Sequence, residues 1–548
     1  MITSLCLFAG LSGLAVPAHA SFDAGQEALQ DYARARLADS DGALAESLES
    51  YRRALALDPD SLVLALRSYR QAIESGDRVL ALRAAHRLDR DMALPPDGPL
   101  LLLSEALQKR DLAKARLLTQ RLISERHFAF LAPVVESWIS LSERKYVPPA
   151  LPQDRDIAAL TRRYLADHQA LQYLAMGDAD NAMPFIEQAL SLRTNTLPGF
   201  RMTAASRLAD LGHKDAALAL LNITNKDAAA LRQTIESGRK PKWQVRTAAQ
   251  GYARLLMQLA EDLSGETSRS LALSIARIAS FADPAADEYR IAVARQLLAM
   301  DHPQFALQEM AAVKPRSVFA NMANDVRISA VLAAGDQDRA LVMAQAAAAA
   351  MDADANDYAR LAGLLSRRDD FAAAADAYQK AIDLFGEKPV PWSLYLLKGG
   401  ALEQAGRWDE AKAELEKAEK IAPNEPIILN YLGYAQIERR QNVDSALALI
   451  EKASDLKPDD PAITDSLGWA HYVNGDVKKA IPVLERAVLG APDDATVNEH
   501  LGDAYWAAGR RFEARYSWNA AYIYADDQGQ GRIAKKIELG LRPDFAAP

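Results

Sequence analysis

The chain has 548 residues, half of them hydrophobic and a quarter charged, with a formal net charge of −9. So much apolar content excludes a disordered chain. The well-mixed, slightly acidic charge excludes general nucleic-acid binding, which needs clustered Lys and Arg.

Alanine and leucine dominate and alternating Val/Ile/Thr runs are almost absent, which predicts an all-α fold. The first twenty residues, MITSLCLFAGLSGLAVPAHA, stand apart. An uncharged, mostly apolar run from Leu5 to Val16 leads into Pro17 and then Ala18-His19-Ala20. This predicts a signal peptide over 1–20, too short to span a membrane and cleaved after Ala20. The expected location is periplasmic or secreted. Cys6, the only cysteine, lies inside this segment, so the processed chain has no thiol, disulfide or thiolate metal site.

Residues 21–145 read as divergent helical repeats, with Ser47, Ala81 and Ala115 spaced by 34 and Tyr51, Ala54 and Pro59 marking one helix and its stop. PPDGP (95–99) and KYVPPALPQD (145–154) are turn-rich seams. Residues 146–269 read as irregular repeats. There Ala182 and Ala217 are 35 apart, and NKDAAALRQTIESGRKPKWQ (225–244) leaves 55 residues between Ala217 and Ala272.

From 270 to 525 the beat is regular. Ala272, Ala306, Ala340 and Ala374 step by 34, and Ala411, Ala446, Ala480 and Ala514 follow at 37, 35, 34 and 34. LFGEKPVPW (384–392) accounts for the longer step. Gly399, Gly433, Gly468 and Gly502 keep time with them, and Pro423, Pro458 and Pro492 close the units. Each unit is expected to be two antiparallel helices, A then B. Gly468 and Ala480 are small where A and B cross, Leu484 and Ala487 face the next unit, and Pro492 ends helix B. Pro184 and Pro482 are expected near the first turn of a B helix. Residues 526–548 read as a capping helix and tail, with Ile533, Ile537 and Leu541 on one face and Lys535, Lys536 and Glu538 on the polar remainder.

Little in the chain points to chemistry. The eight histidines form no H-x-x-x-H pair, and no P-loop, G-x-S-x-G or strand-linked G-x-G-x-x-G occurs. DADAND (352–357) lacks the central glycine of a calcium loop and reads as a helix cap. No cofactor or metal is expected, and the chain is expected not to be an enzyme. An enzymatic alternative would have to use His127, Asp167, His168 and Glu187 within 120–270.

The word L-G-x-x-Y…A-x-x-x-Φ-x-x-A-x-x-x-x-P is carried by Leu467, Gly468, Ala480, Leu484, Ala487 and Pro492. It recurs through Leu501, Gly502, Tyr505, Ala514, Trp518 and Ala521. It resembles the tetratricopeptide repeat, clearly from about 352 to 525 and more weakly before. The resemblance implies a superhelical solenoid of helix pairs that serves as a protein-binding scaffold. In that family, fixed positions of helix A line the concave groove. By register these include Asn430, Tyr434, Asp465, Trp469, Tyr472, Glu499, Asp503 and Trp506. The aromatic residues would anchor a partner segment and the carboxylates would form an acidic edge preferring segments flanked by Lys or Arg. The layout resembles the cell-envelope adaptors and scaffolds of Gram-negative bacteria. That likeness implies protein partners such as a carboxy-terminal processing protease or its envelope substrates, and no nucleic acid. Support of outer-membrane assembly or polysaccharide export is the alternative it leaves open.

Overall fold

The computed structural model describes residues 18–192, 198–223, 225–241, 245–263 and 265–545. Most of the expected signal segment lies outside these residues. Among the described residues every regular element is helical, and no helix is long and apolar enough to cross a membrane. The chain forms two compact units, 1–340 and 341–548.

The first unit contains α1 (Ala18–Ser40), α2 (Leu44–Leu57), α3 (Leu62–Ser75), α4 (Arg78–Arg90), α5 (Gly98–Gln108), α6 (Leu112–Ser124), α7 (Ala132–Ser142), α8 (Arg155–Met176) and α9 (Ala179–Leu192). It continues with α10 (Pro198–Asp210), α11 (Lys214–Leu220), α12 (Lys226–Glu236), α13 (Ala248–Asp262), α14 (Arg269–Ala282), α15 (Asp287–Ala299), α16 (Pro303–Ala312) and α17 (Ala320–Ala333). The unit boundary falls within α18 (Gln337–Ala348). The second unit contains α19 (Ala355–Ser366), α20 (Phe371–Asp383), α21 (Trp392–Gln404), α22 (Trp408–Ile421), α23 (Pro426–Glu438), α24 (Val443–Leu456), α25 (Pro461–Val473), α26 (Val477–Gly490), α27 (Ala495–Ala507), α28 (Arg511–Tyr524) and α29 (Asp527–Leu539).

The sequence beat is a packing signal. Ser47, Ala81, Ala115, Ala182, Ala217, Ala272, Ala306, Ala340, Ala374, Ala411, Ala446, Ala480 and Ala514 are all at 0 % exposure. Each sits in the first turns of the second helix of a pair, where only a small side chain lets the first helix approach. The matching glycine faces it: a Cβ on Gly468 would fall 2.6 Å from Leu484 Cγ, and one on Gly433 would fall 2.9 Å from the Ala446 carbonyl oxygen. Leu484 thus seats on the glycine of its own pair while also joining the apolar cluster of the following pair. Pro184 and Pro482 are each the sixth residue of their helices, a turn deeper than expected. DADAND does cap a helix: Asp354 and Asp357 form a reciprocal capping box at the start of α19.

The first unit departs from a simple solenoid. Helices α13 and α14 are buried on nearly every face and pack against α3, α5, α7 and α8 as well as against each other. Side chains tie them to backbone far upstream. Tyr252 Oη donates to the Leu100 carbonyl (3.0 Å), and Arg277 donates to the carbonyls of Ile73 (3.0 Å) and Glu74 (3.1 Å). The Trp138 ring lies flat against Gly251, where a Cβ would come within 2.2 Å of it. The buried guanidinium of Arg254 pairs with Glu288 at 2.6 Å, and that of Arg277 pairs with Glu309. The interruption after α11 supplies α12, whose Asp227 accepts the backbone N–H groups of Asn321 and Met322 (3.1 and 3.2 Å) at the start of α17.

Candidate functional site

In the second unit the A helices α23, α25 and α27 pack on one another, while the B helices α24, α26 and α28 are splayed apart. A stack built this way curves with its A helices inside, so the predicted site residues lie along the inner wall. Their side chains divide into a floor and a surface.

The floor is buried. Trp469 is 4 % exposed and sandwiched between Tyr472 (ring centroids 4.7 Å apart) and His500 (4.0 Å apart, 13° between planes). Asp465 accepts from His500 Nδ1 at 2.9 Å, and His500 is fully buried. Burial opposes a charge on His500, but the Asp465 carboxylate outweighs it and holds the imidazole above its usual range. Glu499, 2 % exposed, accepts from Arg532 Nη2 (2.7 Å) and Nε (2.9 Å). Asp503 accepts two bonds from Lys536 Nζ (2.7 and 2.8 Å) and one from Trp518 Nε1 (2.9 Å). Lys536 Nζ also lies 2.6 Å from Glu499 Oε1. Burial pushes the Glu499 carboxyl up, yet Arg532 and Lys536 together bring it below its ordinary value.

This corrects the expectation of a solvated acidic edge. Asp465, Glu499 and Asp503 face inward between adjacent A helices, and their counter-charges come from His500, Arg532 and Lys536. Lys536, assigned by helical periodicity to the polar outer face of the capping helix, is at 0 % exposure. Ile533, Ile537 and Leu541 do pack on the last pair as expected. Helix α29 therefore docks through an apolar stripe and a buried cation together.

The surface is half-exposed. Asn430, Tyr434, Tyr472 and Trp506 keep part of their area in solvent. Burial raises the Tyr434 phenol strongly, with Glu438 and Asp465 adding to it, and pushes the Tyr472 phenol up to about 12. Trp506 is braced from several sides. Its ring lies under the guanidinium of Arg511 (3.7 Å to the centroid), 5.3 Å from the Trp518 ring, and against Gly540. At Gly540 φ is +82° and a Cβ would come within 2.0 Å of the indole, so only glycine closes α29 over that ring. Trp518 is core, at 0 % exposure.

The residues of the enzymatic alternative do not meet as a set. His168 is buried and accepts from Trp138 Nε1 (2.9 Å), and Gln258 links it to Asp167. His127 is exposed after α6, and Glu187 lies on the exposed side of α9. Among the described residues no cluster of three His, Cys, Asp or Glu is arranged to hold a metal ion.

Tetratricopeptide-repeat family models match residues 169–196, 359–426, 402–470 and 466–530. No curated protein matches the chain. Among solved structures, the Cut9–Hcn1 hetero-tetramer of the APC/C is similar at 15% identity, with 94% of this chain and 96% of that chain covered and a TM-score of 0.41. A tetratricopeptide repeat protein from Parabacteroides merdae is similar at 14% identity over 47% of this chain and 99% of its own, with a TM-score of 0.39. YrrB, described as a repeat protein with an unusual peptide-binding site, is similar at 22% identity over 35% of this chain and 97% of its own, with a TM-score of 0.28. Matched by sequence in these segments and built there from stacked helix pairs, the chain contains tetratricopeptide repeats.

Proposed function

We propose that this protein is a non-catalytic scaffold of the bacterial cell envelope that holds a partner segment along the inner wall of its second unit. Tetratricopeptide repeats generally mediate protein–protein interaction. The observation that carries the reading is the surface made by Asn430, Tyr434, Tyr472 and Trp506 on consecutive A helices, set over a floor of buried charge pairs. A half-exposed aromatic held by rigid neighbours loses little entropy on binding and gains apolar contact, as binding hot spots do. Trp469, Asp465, Glu499 and Asp503 serve this surface by holding its helices in register. The envelope location rests on the apolar segment 5–16 and Ala18-His19-Ala20. A carboxy-terminal processing protease or its envelope substrates are the partners this layout favours.

Affinity purification of the full chain from envelope extracts, followed by titration with the recovered partner, tests the reading. The double variant Tyr434→Ala with Tyr472→Ala should weaken binding at least roughly tenfold at a temperature where circular dichroism shows it still fully folded, although losing the Tyr472 stack on Trp469 lowers its melting temperature. Undiminished affinity in a stable variant would move the site off this wall. N-terminal sequencing of the mature chain should start at Ser21. A cytosolic chain that retains residues 1–20 would refute the location.

A further inference from the structure

On the outer side of the second unit, helix α28 has two apolar faces. Ala514, Trp518 and Ala521 bury one of them against α27 and α29. On the opposite face Phe512, Tyr516 and Ile523 are 82, 76 and 71 % exposed, with Asn519 between them. The repeat itself does not require this. Counted from the small anchor, the same four places read A-D-Q-D in α20 (372, 376, 379, 383), D-A-E-K in α22 (409, 413, 416, 420), D-A-E-D in α24 (444, 448, 451, 455) and K-P-E-L in α26 (478, 482, 485, 489), against F-Y-N-I in α28. Large apolar side chains grouped on one outer face mark a surface that another molecule covers.

Residues 512, 516, 519 and 523 step by 4, 3 and 4, the seam spacing by which two helices pack side by side. The spacing is the same from either end. An antiparallel copy of α28 therefore meets it in register, Phe512 against Ile523 and Tyr516 against Asn519. Asn519 Nδ2 already donates to the Arg515 carbonyl (2.7 Å), which leaves its Oδ1 to accept from the Tyr516 hydroxyl across the seam. A lipid surface fits less well. It asks for basic side chains along the rim, and Arg511 and Arg515 are turned away, onto the Trp506 ring and the Ile537 carbonyl. We propose that this face joins two copies of the chain through antiparallel α28 helices about a twofold axis. The exposed parts of Phe512, Tyr516 and Ile523 on both copies come to roughly 1,000 Å², the lower limit for a specific interface, so the dimer is weak and reversible. Because the B helices lie outside the curve, this pairing leaves both inner walls open, and the dimer presents two of them at once.

Sedimentation equilibrium of the full chain under reducing conditions, over a wide range of concentration, should fit a monomer–dimer equilibrium with a dissociation constant in the micromolar range. Tyr516→Glu puts an unpaired charge into the seam and should weaken dimerisation at least roughly tenfold. Its melting temperature, measured where both proteins are monomeric, should match the parent's, because Tyr516 is exposed within one copy. Asp383→Ala, at the place in α20 that Ile523 holds in α28, should dimerise as the parent does. Should Tyr516→Glu disturb the fold, Ile523→Lys gives the same reading. A monomer at every concentration, or a dimer that survives both seam substitutions, overturns the proposal. So does binding of the monomer to phosphatidylglycerol vesicles that Tyr516→Glu abolishes, which would assign the face to lipid.

Discussion

Replacing Lys536 by methionine keeps the length and apolar body of the side chain and deletes one charge. Lys536 Nζ is 2.7 and 2.8 Å from the two Asp503 oxygens and 2.6 Å from Glu499 Oε1, and all three residues are at or below 2 % exposure. Glu499 keeps its two bonds from Arg532, so the change falls on Asp503, which loses both bonds from Lys536 and keeps the bond from the Trp518 N–H. Breaking a buried pair by removing one partner costs about 3–5 kcal/mol. The bond from Trp518 favours the lower end, about 3 kcal/mol. In a stack where each pair touches only its neighbours, that loss falls on α27–α29 rather than on the whole chain. Hydrogen exchange should therefore show lost protection in residues 495–539, and urea titration should show an early partial transition. Adding Asp503→Asn to Lys536→Met removes the charge that Lys536 balanced and should restore more than half of the loss. A Lys536→Met protein whose exchange and unfolding match the parent would refute the argument.

The His500–Asp465 pair makes stability depend on pH. Because folding raises the His500 pKa, its contribution is complete below the unfolded value of about 6.5 and fades as pH climbs through the higher folded value. Melting of the second unit should decline across that window in the parent, and the decline should flatten in His500→Gln. An equal slope in both would assign it elsewhere. Gly468→Ala would place a Cβ 2.6 Å from Leu484, costing about 1–3 kcal/mol of overpacking measured by thermal melting. A neutral result there would show that α25 and α26 separate freely.

The pair architecture was legible because it has a local cause. A small residue is needed wherever two helices cross, so the crossing points repeat with the chain, as Ala374, Ala446 and Ala514 show. The filling of the first unit by α13 and α14 was not legible from the beat, which marks crossings within a pair and carries no word about remote partners. Each helix carries a polar stripe, Gln250, Arg254 and Gln258 in α13 and Ser270, Ser274 and Arg277 in α14, that reads as a solvent face until Glu288 and Glu309 are found to pair with the arginines inside the unit. The inner-wall register placed Tyr434, Tyr472 and Trp506 on a common surface. It misjudged Asp465, Glu499 and Asp503 because a carboxylate looks solvated until its counter-charge is found. Lys536 comes from a helix whose own periodicity points it outward. The acidic excess at inner-wall positions of two adjacent repeats was the available hint that cations must arrive from elsewhere.

The inward position of α13 and α14 has a kinetic consequence. Ties in the second unit span little more than one repeat, 33 residues from Asp503 to Lys536 and 35 from Asp465 to His500. Those in the first unit span 152 residues from Leu100 to Tyr252 and 204 from Ile73 to Arg277. Short spans close quickly, so the second unit can grow pair by pair as the chain is made. In the first unit the apolar sides of α3 and α5 must wait, uncovered, until residue 282 has been synthesised. That half of the molecule should fold late and as one step, and during the wait it is the part most exposed to aggregation and most in need of a chaperone.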